Sequence, residues 1–331
     1  MKAIAYTQNG TASVLTDLQL PAPTPGPRDL LVQVQAISVN PVDTKVRSGA
    51  AVTEPRVLGW DAVGVVQQVG DQVSLFKVGD SVFYAGAIDR PGSNSELHLV
   101  DERIVGHKPQ SLDNAHAAAL PLTSITAWEL LFDRLGVPEG GGEGQSLLII
   151  GAAGGVGSIL TQLARKLTNL TVIGTASRDE TRQWVTDLGA HHVIDHSKPL
   201  VAQLEAIGVG QVDHVASLTH TDTHFAQLIE ALRPQGQLAL IDDPKSLDVM
   251  PMKRKALSLH WELMFTRSLF QTPDMIKQHE LLERVAELVD SGVLRTTLGE
   301  HYGAINAANL IRAHELIESG TAKGKIVLEG F

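Results

Sequence analysis

The sequence predicts an α/β protein of two domains, with a doubly wound parallel sheet set inside a β-rich domain. Three observations carry this. The chain has 331 residues, more than one hydrophobic core usually organises. Its first third is a series of short β-branched runs punctuated by Gly and Pro. From residue 146 onward, apolar strands alternate with amphipathic helices, the rhythm of a parallel sheet.

Residues 30–37 and 62–69 are the clearest early strands. Turn signals bound them: the Pro-rich stretch from Pro21 to Pro27, then Gly59, Gly70 and Gly79-Asp80. No helical period is visible here, so residues 1–122 read as a barrel-like domain. Residues 113–135 read as helical, and the Gly140-Gly141-Gly142 loop follows. Residues 146–150 form an apolar run suited to a strand buried on both faces. Val156, Ile159, Leu160, Leu163 and Leu167 then recur at helical spacing. Further strands are expected at 171–175, 192–195, 212–215, 237–241 and 256–261. Helices at 274–291 and 306–319, with strands at 296–298 and 325–328, are too few for a third domain. They are expected to complete the first one. The expected division is 1–122 with 267–331 around 123–266.

Composition narrows the function. There are 27 Lys and Arg against 37 Asp and Glu, a net charge of −10, which disfavours nucleic acid or an anionic membrane as partner. No apolar run approaches the ~20 residues of a membrane span. The start reads as a strand rather than a signal peptide, so a cytoplasmic location is the expectation. The chain has no cysteine, which excludes disulfides, a thiol nucleophile and Cys-built zinc sites.

The strongest chemical signal is Gly151-Ala152-Ala153-Gly154-Gly155-Val156-Gly157, directly after an apolar strand and opening an amphipathic helix. A dinucleotide pyrophosphate needs small residues for close approach and the unpaired N–H groups of a helix N-terminus. Gly154, Gly155, Val156 and Gly157 are the candidate contacts, and the surrounding sheet is therefore read as a Rossmann domain. An NAD site would place an acid at the end of the second strand. Here Ser177 and Arg178 stand there, which suits a 2′-phosphate and points to NADPH. Asp179 is expected to cap the next helix.

These residues resemble the medium-chain dehydrogenase/reductases, most closely the quinone oxidoreductase branch and its zinc-type alcohol dehydrogenase-like members. The resemblance covers essentially the whole chain. It rests on Asn40-Pro41-Val42-Asp43, Gly59-Trp60-Asp61-Ala62-Val63-Gly64, Leu120-Pro121-Leu122-Thr123, Thr126-Ala127, the glycine turn, Gly189-Ala190, Val193-Ile194-Asp195 and Gly324-Lys325-Ile326-Val327-Leu328. It implies a GroES-like β-barrel substrate domain, a Rossmann cofactor domain, an active site in the cleft between them, and a homodimer pairing around 237–241 and 256–261. Zinc-dependent members carry a Cys and a Gly-His-Glu where Asn40 and Gly59-Trp60-Asp61 stand. Their four-cysteine lobe is replaced by a short loop at Pro91-Gly92-Ser93, so no metal site is expected. His220 and His224 have i, i+4 spacing but read as surface histidines.

The resemblance also implies site residues. Asn40 and Thr126 are placed near the nicotinamide, Ser217 and Thr219 at the cofactor edge, and His196 near the adenosine phosphate. Lys325 is expected to add positive charge there. Lys45 and Tyr84 are candidate donors to a substrate oxygen, and Asp43 is expected to bond backbone. Trp60, Trp128, Trp261 and Phe265 read as core aromatics or pocket walls. The expected activity is zinc-independent hydride transfer from NADPH to an apolar small molecule, a quinone or α,β-unsaturated carbonyl. Two readings remain beside it: an alcohol dehydrogenase with unorthodox zinc ligands, and a non-catalytic NADPH-binding sensor.

Overall fold

The computed structural model describes residues 1–49 and 52–331. It divides into two compact units, Met1–Ile125 with Phe265–Phe331, and Thr126–Met264.

In the first unit, the long strand Asp29–Val39 is the organiser. It pairs antiparallel with Ala62–Val69, Leu97–Asp101 and Lys325–Glu329. Its register with Ala62–Val69 shifts twice, between Leu31 and Val32 and between Val34 and Ala36, and such bulges bend a strand into a curved sheet. Ser81–Tyr84, Val105–His107 and Leu298–His301 extend the same sheet. A three-stranded sheet of Lys2–Tyr6, Thr16–Gln19 and Arg56–Val57 lies beside it in the chain order. The C-terminal strand does return to the first unit, and Ile326, Val327 and Leu328 are fully buried there. Each such side chain contributes roughly 1.5–3 kcal/mol of burial.

One element departs from the sequence reading. Residues Pro41–Ser48 are a helix, inside a stretch with no visible helical period. Its start is set by local chemistry. Pro41 sits at the first helical position, where a missing N–H costs nothing. The Asp43 carboxylate reaches back to accept the Asn40 N–H at 2.8 Å. The expected helix over 113–135 is also subdivided, into Asn114–Ala118, Pro121–Trp128 and a π-helical turn Glu129–Arg134, because Pro121 cannot continue the first of these.

The second unit is a six-stranded parallel sheet. Its strands, in spatial order, are His192–Ile194, Thr171–Thr175, Ser146–Ile150, Val212–Ser217, Leu232–Leu240 and Ser258–Trp261. The order reverses beside Ser146–Ile150, the switch point at which open parallel sheets bind ligands. Helix Gly155–Leu167 buries Ile159, Leu160, Leu163 and Ala164, the spacing read from the sequence. No described helix is long and apolar enough to cross a membrane.

Candidate functional site

The glycine turn lies at the switch point. Gly151 has φ +80°, and its N–H donates to Thr175 Oγ1 at 3.1 Å, tying the turn to the neighbouring strand. A Cβ on Gly157 would come within 2.5 Å of the Gly151 carbonyl oxygen, so the helix approaches its own turn as only glycine permits. A Cβ on Gly154 would meet nothing closer than 3.5 Å, so space is left in front of the helix N-terminus at Gly155. This cradle, with a positive dipole end and small residues, fits a pyrophosphate.

Ser177 and Arg178 are exposed at the end of Thr171–Thr175. That strand and His192–Ile194 run parallel with Thr175 opposite Ile194, so Ser177, Arg178 and His196 all follow the same end of the sheet. Thr219 stands over the turn, its Cγ2 within 2.9 Å of where a Gly151 Cβ would be. Ser217 is different. It is fully buried, and its hydroxyl shares a hydrogen bond of 2.7 Å with Thr221 Oγ1. Thr221 in turn donates its N–H to Asp242 at 2.8 Å. Ser217 therefore fixes the turn rather than offering a hydroxyl outward. Thr126 is buried at the start of the second unit.

The first unit holds the remaining candidates, and here the structure corrects three of them. Asn40 is 1% exposed and its carboxamide is fully engaged. Nδ2 donates to Asp61 Oδ2 at 2.8 Å, to the Trp60 carbonyl at 3.3 Å and to the Ser38 carbonyl at 3.4 Å, and Oδ1 accepts from Lys325 Nζ. It has no donor left for a ligand. Lys325 is not a surface cation for a phosphate. It is 3% exposed, and its ammonium donates to Asp61 Oδ2 at 3.0 Å and to the Val39 carbonyl at 3.1 Å. Tyr84 is fully buried, and burial holds its hydroxyl protonated well above the usual range. That hydroxyl lies 3.0 Å from His98 Nδ1. With His98 Nε2 donating to the Pro91 carbonyl at 2.9 Å, Nδ1 is the acceptor and Tyr84 the donor. Burial pushes His98 down to about 4, so the pair is a neutral core bond. Lys45 is exposed on helix Pro41–Ser48.

A buried charge cluster at Asp61 was not legible as such. Asp61 is fully buried and accepts the Leu122 N–H at 2.7 Å besides Asn40 and Lys325. Burial raises its affinity for a proton, against the pull of Lys325. Asp43, also buried, is pushed up to about 7, chiefly by burial, with the backbone bond to Asn40 and the Lys325 charge opposing.

The residues at the zinc positions of the family do not fit a zinc ion. They are an amide, an indole and one carboxylate. The Trp60 Nε1–H donates to the Ala87 carbonyl at 3.2 Å, and the carboxylate is already neutralised by an ammonium. A catalytic zinc needs three donors and an open position. Among the described residues no group of three His, Asp or Glu side chains is arranged to hold a metal.

Two family models match parts of the chain. Residues 26–110 match the alcohol dehydrogenase GroES-like domain, and residues 188–328 match zinc-binding dehydrogenase. A zinc-type alcohol dehydrogenase-like protein of Staphylococcus epidermidis is 41% identical over 334 residues, covering 99% of both chains. The chain belongs to the medium-chain dehydrogenase/reductase superfamily. It is an oxidoreductase of that superfamily by this relationship. A crystal structure from Rhizobium etli CFN 42, named for zinc-dependent alcohol dehydrogenases, superimposes with a TM-score of 0.97 at 57% identity, covering 100% of this chain and 98% of that one. Escherichia coli quinone oxidoreductase complexed with NADPH gives a TM-score of 0.86 at 25% identity, covering 99% of this chain and 100% of that one. Similar structures thus carry both zinc-dependent alcohol dehydrogenase and quinone oxidoreductase names.

Proposed function

We propose that the protein is a zinc-independent, NADPH-dependent reductase that delivers hydride to a quinone or an α,β-unsaturated carbonyl. The observation that carries the cofactor half is Arg178, exposed beside Ser177 at the end of the second Rossmann strand, where an NAD enzyme needs an acid. The likeness to an NADPH-complexed quinone oxidoreductase supports it. The reading of a zinc-free reaction rests on the amide, the indole and the ammonium-paired carboxylate at the family's metal positions.

NADPH, when bound, supplies the hydride. The chain's own residues do the rest. Gly154, Gly155, Val156 and Gly157 hold the pyrophosphate against the helix N-terminus, with Thr219 and Gly151 shaping the turn beneath it. Ser177, Arg178 and His196 surround the adenosine ribose. Reduction of an enone leaves charge on the carbonyl oxygen, and a hydrogen-bond donor there lowers the barrier. The proton comes from Lys45, exposed on helix Pro41–Ser48, or from bulk water. Thr126 is assigned to the nicotinamide end.

The test is cofactor titration of Arg178→Ala. Hydrogen bonds to charged groups contribute roughly 1.5–3 kcal/mol, so NADPH affinity should fall about ten- to a hundredfold. NADH, which has no 2′-phosphate, should be unaffected. Equal small losses for both cofactors would remove Arg178 from cofactor selection.

A further inference from the structure

The two histidines read from the sequence as a surface pair are not one. His220 is exposed, with φ +51° and its Nδ1 2.7 Å from Thr219 Oγ1. His224, one helical turn on, is only 9% exposed. Its ring packs edge-on against His196, with centroids 6.1 Å apart and planes at 74°. The Nδ1 atoms of His196 and His224 are both buried, and neither has a hydrogen-bond partner. Buried polar atoms are nearly always satisfied, so this pair of unsatisfied imidazole nitrogens calls for an account. Resting on the NADPH reading above, we propose that His224 is a positioning residue which, through His196, makes binding of the 2′-phosphate take up a proton, so that preference for NADPH over NADH strengthens as the pH falls.

The surrounding charges agree in sign. Burial holds both imidazoles below the usual histidine range. His220 adds repulsion to each, His196 adds repulsion to His224, and Asp195 and Asp222 oppose it. Asp195 is occupied, accepting from the Ser197 N–H and hydroxyl at 2.9 and 2.7 Å and pairing with Lys198 at 3.4 Å. Asp222 Oδ1 accepts the Thr223 N–H at 2.9 Å. Neither carboxylate bonds an imidazole, and burial favours the neutral rings. A phosphate dianion beside His196 and Arg178 reverses that balance. His196 becomes a donor to phosphate, and His224 holds its ring in place through the edge contact. NADH brings no such charge to this end of the sheet.

Calorimetric and fluorescence titrations of NADPH and NADH between pH 8 and 6 test this on wild type, His224→Gln, His196→Gln and Arg178→Ala. One linked proton changes Kd by at most about tenfold per pH unit. The NADPH-to-NADH affinity ratio of wild type should rise several-fold on acidification, with net proton uptake seen only for NADPH when buffers of different ionisation heat are compared. His224→Gln should flatten that rise while keeping the preference at pH 8, and His196→Gln should flatten it too. The phosphate's own protonation, with a pKa of about 6, acts in the opposite direction and is common to all variants. Retained NADH binding shows that a variant is folded, and if His224→Gln loses it, His196→Gln carries the test. A flat wild-type ratio, an equal slope for both cofactors, or an unchanged slope in the histidine variants overturns the proposal. An Arg178→Ala protein with an unchanged ratio at every pH instead overturns the NADPH reading beneath it.

Discussion

Replacing Lys325 by Met should be among the most damaging single changes in the first unit. The ammonium is 3% exposed and lies 3.0 Å from a carboxylate that is fully buried. Methionine keeps the length and apolar stem but leaves Asp61 with Asn40 and the Leu122 N–H alone, and with Asp43 as a second acid nearby. Removing one partner of a buried ion pair costs roughly 3–5 kcal/mol, because the other charge stays uncompensated. The cost should depend on pH in a set direction. Asp61 already has a folded-state pKa raised by burial, and loss of the cation raises it further. A carboxyl with a raised folded pKa is stabilised when protonated, and that stability is lost as pH rises through the folded value. The deficit of Lys325→Met should therefore be largest at pH 8 and shrink toward pH 5. The double variant Lys325→Met with Asp61→Asn should recover most of it, because no charge is then buried. Urea unfolding of the three proteins at pH 5 and pH 8 measures this. A loss below about 1 kcal/mol at pH 8, typical of a surface pair, would show that Lys325 is not the cluster's counter-ion.

Two further outcomes follow from the same geometry. Asp43, pushed up to about 7, stabilises the fold below its unfolded value near 3.8 and loses that contribution as pH rises to 7. Relative to wild type, Asp43→Asn should gain stability between pH 4 and 7, at up to about 1.4 kcal/mol per pH unit, and parallel urea curves for the two proteins would refute this by showing no divergence. The strand Ser258–Trp261 is the outer edge of the second sheet, and Trp261, Leu263 and Met250 are 52%, 52% and 67% exposed there. An unpaired apolar edge invites pairing across a two-fold axis, so light scattering should give twice 35.5 kDa, and Trp261→Glu should shift it toward the monomer; a wild-type mass of 35.5 kDa across concentrations contradicts it.

The Rossmann half was legible because its signals are local. Apolar strands such as Ser146–Ile150, the helical spacing of Ile159, Leu160 and Leu163, and the glycine turn each declare themselves within a few residues. What the sequence hid is what depends on distant partners. Lys325 and Asp61 are 264 positions apart, and nothing near either one shows that they share a site. Trp60 reads as core packing more readily than as a pocket wall, and its burial, its bond to Ala87 and its edge contact with Phe265, centroids 6.1 Å apart, place it in the core. Helix Pro41–Ser48 is too short for a period, though Asn40, Pro41 and Asp43 together spell its start. His224 reads as a surface histidine from its own neighbours, and its contact with His196, on a different connection of the sheet, shows only in three dimensions. Glu129 and Glu262 carry no local signal of their site either. Both are buried, Glu262 accepts from Arg134 at 2.7 Å, and burial together with Glu129 pushes Glu262 up to about 9.

Under the proposal above, hydride transfer needs NADPH and no zinc. Its most direct test is NADPH oxidation, followed by absorbance, with a panel of quinones and α,β-unsaturated carbonyls on protein dialysed against chelator. Turnover of at least one such acceptor, undiminished by chelation and unimproved by added zinc, is the expected result. Oxidation of an alcohol that is lost on chelation and restored by zinc alone would contradict it.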